Sequence, residues 1–190
     1  MATSETEEKV APATGEKPAG RRVSKRKATE AVGRSYFDAL ARRDAGAMAS
    51  HWTSDGVEEI LPVGMLRGPR EIESFFRETF AAVPDAETSV GRVIAGDGQV
   101  AVEWRMEGHF TGTPFQGIEP TGKRIEVRGF DLLEIEDGKI RSNTAYYDGA
   151  AFARQVGMLP AQDSGGERAM KTAFNSITKA RRAIAQRGGS

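Results

Sequence analysis

The chain contains no cysteine, so disulfides, thiolate-held metals and a cysteine nucleophile are excluded, while the redox compartment stays open. Its histidines number two, His51 and His109, too few for a multi-histidine metal cluster. Net charge is also missing, because 27 lysines and arginines offset 27 aspartates and glutamates. No whole-chain field therefore draws in nucleic acid or an anionic membrane, and partners have to be sought locally. No stretch is apolar for the length of a bilayer span, and the acidic and small residues at the start lack the apolar core of a signal peptide. The expectation is a cytoplasmic protein with no nucleic-acid partner.

At 190 residues the chain suits one domain with tails. Residues 1–27 have almost no large apolar side chain, a composition that predicts a disordered tail. The domain is expected over 28–160, opening at about Thr29 with a helix whose apolar face is Val32, Tyr36, Phe37 and Leu40 and which ends near Asp44. Met48 and Trp52 mark a short second helix, stopped by the turn residues Ser54-Asp55-Gly56. A strand over 57–63 follows. Pro69 then starts a third helix, with Ile72, Phe75, Phe76 and Phe80 on one face and Pro84 closing it.

Beyond this point the pattern switches to strands, over 87–94, 100–110, 124–135 and 139–147. Gly96-Asp97-Gly98 and Glu136-Asp137-Gly138 lie between them, and Asp-Gly supplies the positive-φ positions of tight hairpins. Helices first and a meander afterwards predict an α+β fold, with helices on one side of a curved antiparallel sheet. A short helix over 150–156 precedes Gly157 and Pro160. Residues 161–190 read as a flexible linker, broken at Gly165-Gly166, and a basic amphipathic helix with Met170, Phe174, Ile177 and Ile184 on one face. Packing on its own domain is the expected fate of that helix, with a membrane surface or acidic lipid as the alternatives.

Phe115 and Gly117, the turn Pro120-Thr121-Gly122-Lys123, the strand Val127-Arg128-Gly129-Phe130-Asp131 and the hairpin Asp137-Gly138-Lys139-Ile140 form one constellation. It resembles the signature of the SnoaL-like polyketide cyclases, within the nuclear-transport-factor-two-like superfamily. Asp148, followed by a short helix and Gln155-Val156-Gly157-Met158-Leu159-Pro160, is similar to that family's close. The resemblance spans roughly 30–160. It implies a cone-shaped curved sheet, antiparallel or mixed, wrapped on three N-terminal helices, and a small hydrophobic ligand in the interior. It also implies aldol-type cyclisation or isomerisation without metal or organic cofactor, and a homodimer joined through the outer face of the sheet.

That chemistry needs a carboxylate to remove a proton beside a carbonyl and donors to hold the enolate oxygen. Alternation over 124–135 puts Asp131 in the apolar row of Ile125, Val127, Leu133 and Ile135. A carboxylate there is either a base with a raised pKa or a structural aspartate held by hydrogen bonds. Asp148, at the end of the last strand, is either the base or the N-cap of the next helix. Trp104 and Met106 share the inward parity of their strand and are candidate cavity walls. Tyr36, Asn143 and Tyr146 are candidate polar contacts to a substrate oxygen. Arg128 has the opposite parity to Asp131 and is expected in surface pairs, and His109 lies one step out of phase with the family's histidine.

Two functional classes follow. One is a cofactor-free acid/base enzyme acting on a hydrophobic carbonyl compound through Asp148 or Asp131. The other is a non-catalytic ligand-binding or dimerisation module, favoured by Asn143 and Thr144 standing where relatives often carry His-Trp.

Overall fold

The computed structural model describes residues 19–187. In chain order these form α1 (Ala19–Ala41), α2 (Ala45–Ser50), β1 (Trp52–Leu61), β2 (Gly64–Arg67), α3 (Gly68–Ala82), β3 (Glu87–Ala95), β4 (Gln99–His109), β5 (Arg124–Glu136), β6 (Lys139–Tyr147), α4 (Gly149–Val156) and α5 (Gly165–Arg187). Of the tail expected over 1–27, residues 1–18 lie outside the described residues. From Ala19 the chain is already helical, well before Thr29. The arginines and lysines at the start of α1 are good helix formers and need no core to be so. An apolar-periodicity signal registers only where the helix meets the domain, and from Val23 onward Thr29 is the first buried residue.

The six strands make one mixed sheet in the order β2-β1-β6-β5-β4-β3, antiparallel except for the β1–β6 pair. The two expected hairpins are present as β3–β4 and β5–β6. Asp137 and Gly138 take φ of 48° and 78°, as a tight hairpin demands. Helices α1, α2 and α3 cover the inner face of the curved sheet, so the architecture is the expected α+β.

Two local expectations are corrected. Trp52 is not in a second helix but is the first residue of β1, and Ser54-Asp55-Gly56 does not stop a helix. It bulges from the strand: Trp52 pairs with Ile140 and Val57 with Ser142, so β1 gains residues relative to β6. Turn-forming chemistry looks the same in a loop and in a bulge, and only pairing with β6, far along the chain, separates them. Likewise Gly165-Gly166 is not a break but the first turn of α5. Ser164 Oγ accepts from Glu167 N at 3.1 Å and Glu167 Oε2 accepts from Asp163 N at 2.9 Å, close to a capping box.

The main core packs Tyr36, Phe37, Met48, Trp52 and Ile72 against Val100, Val102, Leu133 and Ile140. A second cluster, centred on Val83, Phe110, Ile125 and Val156, closes the other end of the sheet. Between them the inner face is left partly unfilled.

Candidate active site

Strand alternation brings carboxylates from two non-neighbouring strands toward that gap. Asp131 on β5 and Glu58 on β1 both point inward, in phase with Leu133 and Ile60, and both are buried. β6 separates the two strands, and its inward Asn143 bridges them. Asn143 Nδ2 donates to Asp131 Oδ2 at 2.8 Å and to Glu58 Oε1 at 3.2 Å, using both of its hydrogens. The other Asp131 oxygen accepts from Trp104 Nε1 at 2.7 Å. Trp104 reaches it because Gly129 sits directly opposite on β5 and has no side chain: a Cβ there would lie 2.1 Å from the indole Cζ2.

The carboxylates face a cavity of about 110 Å³ walled mainly by Phe75, Phe76, Phe115, Met106, Tyr147 and Phe152, with Tyr36 at its α1 side. The Tyr36 hydroxyl, Glu58 Oε2 and Trp52 Nε1 are buried, and none makes a hydrogen bond of acceptable geometry. Tyr36 nonetheless lies close enough to Trp52 and Glu58 for each to alter its titration. These are polar atoms inside an apolar enclosure, where an unmet hydrogen bond is costly.

Electrostatics sets the two acids apart. Burial raises Glu58 most, Asp131's charge raises it further, and Asn143 and Tyr36 only partly offset this, leaving its pKa at about 8. Burial also lifts Asp131, but hydrogen bonds from Trp104 and Asn143 hold it at about 6. The environment therefore favours the proton on Glu58 and the charge on Asp131. Tyr36 is pushed well above the usual phenol range by burial and then by the charges of Glu58 and Asp131, so it remains a hydroxyl donor.

Of the residues singled out in the sequence, Asp131, Tyr36, Trp104 and Met106 meet at this cavity. Asn143 stands behind the wall, orienting both carboxylates. Tyr146 projects from the outer face, 52% exposed, and its neighbour Tyr147 takes the inward place because side chains alternate along β6. Asp148 is outside the cavity too: it caps α4, Oδ1 accepting from Ala151 N at 2.9 Å. His109 pairs with Asp85 at 2.7 Å on the exterior, and Arg128 joins the expected surface ion pairs through Glu126. Sequence reading missed Glu58. Its only signal was the phase it shares with Ile60, and nothing local said which face of β1 was the interior. Among the described residues no group of three or more His, Asp or Glu is arranged to hold a metal ion.

Residues 30–156 match the SnoaL-like polyketide cyclase family. Solved structures agree on the fold. A protein from a Jannaschia species, described as a candidate SnoaL-like polyketide cyclase, superposes with a TM-score of 0.65 at 19% identity, over 72% of this chain and 96% of its own. AclR from Streptomyces galilaeus, described as a candidate hydroxylase, gives 0.63 at 21%, over 71% and 99%. IdmH from Streptomyces antibioticus, a candidate polyketide cyclase, gives 0.58 at 20%, over 68% and 98%. No curated protein matches the chain.

Proposed function

The chain belongs to the SnoaL-like polyketide cyclase family, and we propose that it is a cofactor-independent acid/base enzyme acting on a small hydrophobic carbonyl compound, with Asp131 as general base. The observation that carries this is two buried carboxylates, joined by one amide, at one apolar cavity, with burial raising Glu58 further than Asp131. Asp131 takes a proton from the carbon beside the substrate carbonyl. Charge then develops on the carbonyl oxygen, and the Tyr36 hydroxyl and the protonated Glu58 donate to it. Pairs of acids split in this way by their surroundings are suited to enolate chemistry at neutral pH. Asp131 then returns the proton to another carbon, completing an isomerisation, or to the alkoxide formed when the enolate attacks a second carbonyl of the same molecule.

At about 110 Å³ the cavity is smaller than the roughly 150 Å³ that encloses a benzene ring. It suits the reacting end of a substrate or a compact one. Trp104 and Met106 supply apolar contact, and Asn143 positions both acids. Asp148, open in the sequence between base and helix cap, suits the capping role. The outer sheet face carries exposed Ile94, Phe130, Leu132 and Tyr146, which supports a homodimer through that face.

The test is hydrogen exchange in heavy water, followed by proton NMR, on a panel of β-keto esters and enones. Base-catalysed loss of the α-proton signal that disappears in Asp131→Asn supports the reading even before a product is known. Saturable binding without exchange across the panel replaces it with the ligand-binding alternative.

A further inference from the structure

Helix α5 is tied to the domain at its first turn, where buried Glu167 meets Arg154 at 3.5 Å and Lys171 at 3.1 Å. Past that turn the domain does not cover it, contrary to the expectation that it packs on its own domain. Met170, Phe174, Ile177 and Ile184 are 44%, 68%, 54% and 71% exposed. At about 100° per residue these four share one sector of the helix. Charge past the first turn is of one sign. Glu167 is the last acidic residue in the chain, and Arg168, Lys171, Lys179, Arg181, Arg182 and Arg187 follow it. Lys171 and Arg182 fall on one flank of the apolar sector, and Arg181 falls within it.

We propose that α5 is a membrane-surface helix that lies on an anionic lipid bilayer. Its apolar sector enters the headgroup boundary, its flanking cations sit over the phosphates, and Arg181 reaches up to them from within the sector. Charge complementarity selects this occupant. A second copy of α5 would bring a helix that is like-charged and acid-free past its first turn against this one, whereas an anionic surface meets both the apolar and the basic sectors. A nucleic acid would neutralise the cations and leave Phe174 and Ile184 in water. No helix among the described residues is long and apolar enough to cross a membrane, so α5 lies on the bilayer and does not span it.

The experiment is co-sedimentation of the full chain with vesicles of phosphatidylcholine alone, or of phosphatidylcholine with about one third phosphatidylglycerol. The expected result is recovery with the anionic vesicles only, reduced by added salt. Phe174→Ser with Ile177→Ser, and separately Arg181→Gln with Arg182→Gln, should each weaken binding by roughly tenfold or more. Both pairs lie where α5 leaves the domain, so circular dichroism should report an intact fold. Equal recovery with and without vesicles overturns the proposal, as does unchanged binding by the serine variant. If sedimentation velocity shows the serine substitutions dissociating an oligomer while anionic vesicles leave the full chain in solution, a second copy covers the helix and the proposal fails.

Discussion

Glu58 and Asp131, on strands that do not touch each other, meet at one amide nitrogen: Asn143 Nδ2 lies 3.2 Å from the first and 2.8 Å from the second. This arrangement couples them. Ionising Asp131 makes it harder to ionise Glu58, and the amide satisfies one oxygen of each whatever their charge. Glu58 Oε2 is left facing the interior without a partner. A protonated acid with an unengaged oxygen beside an ionised one is what a site needs in order to give a hydrogen bond and take a proton in the same step.

Asp131→Asn should lower α-proton exchange by roughly two to four powers of ten, the usual worth of a general base. Asp148→Asn should leave exchange within a few-fold of wild type, because the amide still caps α4. Exchange rates for the two variants, with circular dichroism as the folding check, decide between them. Full activity in Asp131→Asn removes the base assigned here.

The rate should follow a bell in pH. Exchange rises as Asp131 ionises at about pH 6 and falls as Glu58 loses its proton at about pH 8. The two limbs are properties of the coupled pair. Glu58→Gln keeps a donor without an ionisation, so its profile should lose the alkaline limb and keep the acid one.

Stability should depend on pH in the reverse sense to a salt-bridged carboxylate. Both folded pKa values lie above the ordinary ones of 4.5 and 3.8, so the unfolded chain binds fewer protons than the folded one between those limits. The contribution of the two acids is therefore fully present below about pH 4. It is lost as pH rises through about 6 for Asp131 and about 8 for Glu58. Glu58→Gln should be more stable than wild type at alkaline pH, by on the order of a few kcal/mol, and lose that advantage in acid. Urea unfolding across the range measures this, and a variant advantage that grows toward acid refutes the sign.

Gly129→Ala should disturb Asp131 through Trp104. The new methyl would meet the indole at 2.1 Å, so the ring must move and its hydrogen bond to Asp131 is lost. Overpacking of this kind costs roughly 1–3 kcal/mol. The acid limb of the rate profile should shift upward, since that bond holds Asp131 down, and tryptophan fluorescence should report the displaced ring. An unmoved limb with a moved ring would show that Trp104 does not tune the acid.

The outer face predicts a dimer at tens of micromolar, roughly where an interface of standard size holds. Phe130→Glu places a charge among Ile94, Leu132 and Tyr146 and should yield monomer by light scattering. A monomeric wild type at that concentration counts against the dimer.

What could be read from the chain alone was whatever repeats locally. Alternation over 124–135 put Asp131 inward, the Asp-Gly pairs announced both hairpins, and helical spacing marked Tyr36, Ile72 and the exposed face of α5. The Ser164-Gly-Gly-Glu167 cap was legible too, but its glycines were read as a break. Where neighbours came from distant segments, local pattern had nothing to act on. The bulge at Ser54-Asp55-Gly56 shows only in the pairing of β1 with β6, and that same pairing brings Glu58 to Asn143. Parity already distinguished Tyr147 from Tyr146, yet only the closed sheet showed which face was the interior. Asp148 carried the right chemistry for a base, but the register of β6 ends one residue before it and leaves its carboxylate on the Ala151 amide of α4. Sequence period decides the direction of a side chain within its own element, and the long-range pairing of elements decides what that side chain meets.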